Sequence, residues 1–165
     1  MDRRTFVKTV GVGAAVLLVP FSASASQSIQ VERVMRPVRA WLDAWGIEDQ
    51  FEEFELRSYL EMGVDWANAQ LEHEDGRQLA ELGGDEIVTE MDGELLDTWL
   101  GVVRWHALAF ATFALSFNWD QEGRLLVGRR DEILLLKDKA AAQCEVAIER
   151  FMTEADRRFE IATVE

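Results

Sequence analysis

From Ala107 to Phe117 the chain reads ALAFATFALSF, eleven residues without a charge in a sequence that is 29% charged. How this stretch is read decides the fold. As a helix it is apolar all round and belongs at the centre of a bundle, covered by its neighbours. As strands it gives another molecule: Phe113, Leu115, Phe117 and Trp119 alternate with period two, and Asp120-Gln121-Glu122-Gly123 is turn-like. Leu125-Leu126-Val127 would then return as the second strand of a hairpin over 111–128. A membrane span is excluded, because about 20 apolar residues are needed and Arg104 and His106 interrupt any extension. The helical reading is preferred, with the α+β hairpin as its alternative.

Outward from this segment the spacing is helical. Downstream, Asp131 can cap a helix running to about Glu160, whose Ile133, Leu136, Ala140, Cys144, Ala147, Phe151, Ala155 and Phe159 keep three-and-four spacing. Its opposite face carries Lys139, Glu145, Glu149 and Asp156. Upstream, the central helix is expected from Glu86, preceded by a connection over 72–85 (EHEDGRQLAELGGD) with one short helical turn. A second helix is expected from Glu48 to Leu71, with Phe51, Phe54, Tyr59, Leu60, Val64, Ala67 and Leu71 inward. A first runs from Val31 through Val34, Met35, Val38, Trp41, Leu42 and Trp45 to a stop at Gly46. Pro37 in it can instead mark a first turn, with the helix proper starting near Arg36. Residues 26–30 are expected to be a loose leader. The sum is a mainly α chain, a single small bundle of about four helices, without repeats or a second domain.

The N-terminus is an address. MDRRTFVKTVGVGAAVLLVPFSASASQS joins a basic start, an apolar stretch from Val10 to Phe21 and a small-residue run, the layout of a removable signal peptide. Ala23-Ser24-Ala25 fits small-x-small cleavage, dividing the chain into a signal over 1–25 and an acidic helical domain over 26–165. Arg3-Arg4-Thr5-Phe6-Val7-Lys8 resembles the twin-arginine motif, with Arg3, Arg4, Phe6 and Lys8 as the residues a twin-arginine translocase reads. Gly11, Gly13, Ala14 and Ala15 dilute the apolar core, as is usual on this route. The alternatives are a general secretory signal with an accidental arginine pair and an uncleaved anchor; a lipoprotein is excluded, since no Cys lies near residue 25. That translocase carries folded cargo, so the expected location is periplasmic or extracellular, with membrane association open.

Charge narrows the partners. The chain carries −14, and removing Arg3, Arg4, Lys8 and Asp2 with the signal leaves −16. Nucleic acid and anionic membrane surfaces are not expected as partners. Lys137 and Lys139 are the only lysines after the signal, which suits a salt-loving microbe, although Glu outnumbers Asp and 48% of residues are hydrophobic. Cys144 stands alone, which rules out an internal disulfide, a CxxC pair and a CxxCH haem site. It falls on the apolar face of the last helix, as a small buried hydrophobe would.

The constellations that could carry chemistry fall short. A carboxylate-bridged di-metal bundle wants Glu-x-x-His, but Gln70 precedes His73 and Val103 precedes His106 at that spacing. His106 is expected to be a hydrogen-bonded buried histidine and His73 a solvated one. Asn118, Asp120, Glu122, Gly123 and Leu125 follow the start of an EF-hand calcium loop, yet Arg129 stands where the bidentate Glu should be. GGDE at 83–86 matches a nucleotide-cyclase motif in letters without the α/β context. Trp41, Trp45, Trp66, Trp99 and Trp105 fall on or beside helical apolar faces, as core residues do. No catalytic residue, metal ligand or cofactor is assigned.

Residues 95–119, LLDTWLGVVRWHALAFATFALSFNW, resemble a segment of the small subunits of membrane-bound flavin-dependent sugar and polyol dehydrogenases. Those subunits are short, twin-arginine-led and helical, with an apolar helix carrying Trp, Gly and two branched residues, here Trp99, Gly101, Val102 and Val103. The Tyr usual beside that Trp is absent, the spacing to Gly is one shorter, and the family's Cys- and Pro-containing tail is replaced by the helix from Asp131. The resemblance implies a non-catalytic accessory of a larger exported redox enzyme. The charge implies the alternative, a stand-alone secreted or surface binding protein of a halophile.

Overall fold

Val31, Val34, Met35, Val38 and Leu42 form the buried face of helix α1 (Val31–Ala44) in the computed structural model, which describes residues 26–70, 79–122 and 129–164. Gly46 ends α1 as expected: at φ +65° it lets its own N–H reach Asp43 O and that of Ile47 reach Leu42 O. This paired return satisfies two carbonyls of the last turn and buries Ile47 near Leu42, both fully covered. Pro37 lies inside α1 and does not begin it.

The second helix starts later than its spacing suggests. Glu48–Gln50 form a 3-10 turn, and α2 spans Glu53–Asn68 behind a capping box in which Glu52 and Glu55 exchange side-chain and backbone bonds. Leu56, Leu60, Gly63, Val64 and Ala67 face inward, whereas Phe54, expected inside, is 68% exposed. Leu71 and the rest of 71–78 lie outside the described residues.

The larger correction is a sheet. Strands β1 (Gln27–Gln30), β2 (Ala80–Gly83) and β3 (Glu86–Thr89) form an antiparallel three-stranded sheet in the order β1-β3-β2, where a loose leader, a connection and the start of a helix were expected. Gly84-Asp85 makes a two-residue turn with Gly84 at φ +57°, and Ile87, Val88 and Thr89 supply β-branched residues behind it. Ile87 is fully buried and pairs with Ile29 and Leu82. The turn is tied in place: Arg57 of α2 donates to Asp85 Oδ1 at 2.7 Å and to Gly84 O, and the first N–H of α1 donates to Asp85 O at 2.8 Å. The GGDE letters are therefore a hairpin turn clamped by two helices.

Helix α3 (Gly93–Glu122) follows, and the expected alternative of a hairpin from residue 111 is overturned as far as residue 122, because Ala111 to Glu122 is helical. Residues 123–128 lie outside the described residues. Helix α4 (Arg130–Val164) returns antiparallel to α3, since Arg158 near its end pairs with Asp92 at 2.6 Å, just before α3 begins. Its buried residues include Ile133, Ala140, Cys144, Ala147, Phe151 and Ala155, as the spacing predicts. The fold is mainly α, four helices with a small sheet among the described residues. Helix α3 is its axis, in contact with α1, α2 and α4. Trp99, Val102, Val103, Leu108 and Ala111 are buried on it. No helix among the described residues is long and apolar enough to cross a membrane.

Candidate functional site

Positions 106, 110 and 113 of α3 follow a four-three step and so share one flank, while Trp105 turns to the other. On the Trp105 side, Trp41 of α1 stacks at 4.5 Å between centroids and 17° between planes. On the other side α2 supplies the partners. Trp66 stacks on His106 at 4.6 Å, and His106 lies 5.2 Å from Phe110. Phe110 lies 6.4 Å from both Tyr59 and Phe113, and Tyr59 meets Phe51 edge-on at 6.2 Å. These separations are in the range where ring pairs attract beyond their buried area. Gly63 makes the approach feasible: a Cβ there would lie 2.7 Å from the carbonyl oxygen of Val103.

The band grades from interior to surface. His106 is buried, at 9% exposure, and its Nδ1 has no hydrogen-bond partner among the described residues. A hydrogen-bonded histidine was expected here; stacking on Trp66 holds the ring instead. Burial pushes the His106 pKa below its ordinary value, which favours the neutral imidazole. Tyr59 is half-buried, and burial together with the nearby charge of Glu55 pushes its phenol pKa up. Phe113, at the end of the series, is 50% exposed. Chemically this is an apolar, π-faced surface with a neutral imidazole at its root.

Other expected features are placed as follows. Arg3, Arg4, Phe6, Lys8, Ala23, Ala25 and His73 lie outside the described residues. In the calcium-loop likeness, Asn118 to Glu122 is the end of α3 and not a loop. Arg129, its mismatched last position, donates to the carbonyls of Trp45 at 2.8 Å and Gly46 at 3.1 Å, and pairs with Glu132 at 2.7 Å. It thereby fastens the start of α4 to the end of α1, where a cation suits the helix dipole. Cys144 is buried, and burial pushes its thiol up to about 11, so it stays protonated and unreactive. Among the described residues no group of three or more His, Cys, Asp or Glu side chains could hold a metal ion. Only Trp99 of the tryptophans named above is fully buried; Trp41, Trp45, Trp66 and Trp105 are half-buried against the core.

Sequence spacing alone did not reveal the band, because its members come from two helices and an entry loop. The signal available was the aromatic series Phe51, Tyr59, Trp66 and His106, Phe110, Phe113, each at helix-compatible steps. Compared with protein-family models, with curated proteins and with solved structures, the chain matches none.

Proposed function

We propose that this chain is an exported, non-catalytic accessory protein that docks on a larger exported partner through the aromatic band of α2 and α3. The observation that carries the docking role is the row of rings from Phe51 to Phe113, anchored on the close α2–α3 crossing and 50% exposed at Phe113. Export rests on Arg3-Arg4-Thr5-Phe6-Val7-Lys8 with Ala23 and Ala25, read by the twin-arginine translocase. The likeness of 95–119 to small dehydrogenase subunits suggests a redox enzyme as the partner class, and the folded-cargo route fits a partner that acquires its cofactor before export. A second reading, a stand-alone secreted or surface binding protein of a salt-loving microbe, is favoured by one observation, the net charge of −14 with three lysines in all.

Two measurements test the proposal. Replacing Arg3 and Arg4 together with Lys should leave uncleaved precursor in the cytoplasm, because Lys lacks the planar fork of Arg; normal processing of that double variant refutes the route. Capture of the exported chain from its native envelope should return one larger protein in a fixed ratio. Recovery of the chain alone favours the stand-alone reading.

A further inference from the structure

We propose that the crossing of α1 over α3 is a binding site for a small organic monoanion, a carboxylate on a flat apolar body, held by Arg33 and Arg104 beside Trp41 and Trp105. The site is separate from the aromatic band, on the other flank of α3, and does not depend on the accessory role. The chain has 31 acids for 17 lysines and arginines, so a cation without a carboxylate is unusual in it. Arg39, Arg57, Arg129, Arg157 and Arg158 all pair with Asp or Glu. Arg104 does not. Among the described residues its one hydrogen bond runs from Nε to Val34 O at 3.4 Å, although the side chain is only partly exposed. Burial pushes its pKa down; the charge of Asp97 acts against that, and Arg33 adds to it. Arg33, exposed in the first turn of α1, likewise makes no ion pair among the described residues. Two guanidiniums that feel each other, one of them partly out of water, carry a cost that an incoming anion would remove.

The shape beside them suits a small ligand. Gly101 precedes Arg104 and Trp105 by three and four residues, and helical side chains lean towards the preceding turn. It is partly buried, yet a Cβ added there would meet no atom within 4 Å. A covered position whose side-chain direction is empty lies in a recess. Arg104 stands on one side of it, and on the other stands Trp105, stacked on Trp41 at 4.5 Å with both rings half-buried. A planar guanidinium takes a carboxylate through two parallel N–H donors, and indole rings take a flat apolar body. Local charge chooses between anions. Arg33 and Arg104 against Asp97, two cations and one anion, leave a single positive charge, which a carboxylate neutralises and a dianionic phosphate exceeds. The net charge of −14 opposes anions from a distance, but that field is screened beyond about 8 Å at physiological salt, whereas the two arginines act in contact.

The test titrates the full chain by calorimetry with benzoate, 2-naphthoate and indole-3-acetate, and with the neutral amide of 2-naphthoate. At least one of the acids should bind at millimolar concentration or below, and the amide should bind at least about tenfold more weakly. Arg104→Met keeps the apolar stem and removes the charge, and should weaken binding about tenfold. Arg33→Gln should weaken it less, since Arg33 is more exposed. Gly101→Leu fills the recess without touching a charge. It should abolish binding while the melting temperature holds or rises, because leucine is the better helix former and its Cβ meets nothing. Arg150→Met, at an exposed arginine of α4, should leave binding unchanged. Circular dichroism verifies that each variant is folded. Absence of binding by all three acids overturns the proposal, as does equal binding of acid and amide. Binding that survives Arg104→Met or Gly101→Leu overturns it too. Inorganic phosphate that displaces the naphthoate at equal concentration removes the selectivity argued from charge and rings. A Glu-rich peptide that binds where the small acids do not assigns the arginines to the carboxylates of a partner protein, and the small-ligand site falls.

Discussion

Along its seam with α3, helix α4 sets small side chains, Ala140, Cys144, Ala147 and Ala155, beside the larger Ile133, Ile148 and Phe151, all buried. Along its seam with α2, helix α3 faces rings, Tyr59 and Trp66, set either side of Gly63. The first seam is regular and runs the length of both helices, because small residues at three-and-four spacing let two backbones stay close without interruption. The second comes close at Gly63. Gly63 meets the Val103 carbonyl, and beyond it the bulky rings stand between the helices, with His106 Nδ1 unpartnered among the described residues and Phe113 half-exposed. One seam is filled along its core face, and the other leaves a ring at its end partly exposed.

That contrast can be broken hardest at Phe151. Phe151→Ala should cost about 3–5 kcal/mol, as for a fully buried aromatic. Urea unfolding would measure it, and a loss below 1 kcal/mol would mean that α4 is an interface element and not core. Gly63→Ala attacks the other seam. Its new Cβ would sit 2.7 Å from backbone that cannot rotate away, so α2 must shift, at about 1–3 kcal/mol. The Trp66–His106 stack should loosen with it, read as a change in near-ultraviolet circular dichroism. An unchanged spectrum with unchanged stability would show that the crossing has slack.

A third prediction sharpens the aromatic side through pH. Burial lowers the His106 pKa from its ordinary value of 6.5, so the unfolded chain binds a proton where the folded chain resists it. The stability this involves is fully present above about 6.5 and is lost as pH falls towards the lowered folded value. Wild type minus His106→Phe isolates it, because both share every carboxylate. Their unfolding free energies should diverge between neutral and mildly acid pH, with wild type losing more. Parallel curves would place the imidazole in water. The smallest effect is expected at Glu149, exposed on α4, where Glu149→Ala should change stability by no more than about 0.5 kcal/mol. A larger loss would show that the outer face of α4 is energetically engaged.

The small-residue seam was legible before the structure and the aromatic one was not, for the same physical reason. Ile133 to Ala155 repeats one period for many turns, so any register error would expose several apolar residues at once. Ala111 to Glu122 resolved as helix against its alternating pattern, since a segment flanked by long helical spacing continues more cheaply than it nucleates anew. The sheet was hidden because its strands are four residues each, too short for period two to stand out, and Ile29 finds Ile87 only across the chain. Phe54 was misplaced although the period excludes it: six residues before Leu60, it falls about 120° off the face that Leu56, Leu60, Val64 and Ala67 bury.

The strand order β1-β3-β2 also sets an order in time. Helices α3 and α4 are neighbours in sequence and can pair as a hairpin as soon as both exist, whereas β1 must wait for β3, to which Ile29 is joined through Ile87. Pairing them closes the chain around α1 and α2, an entropic cost that only the completed core offsets. Strand β1 is thus expected to lock last. Under the export proposed above, a leader emerging from an unlocked β1 marks immature cargo, and one emerging from a finished sheet edge marks cargo ready to leave. The N-terminal strand would then act as the molecule's own record of whether folding is finished.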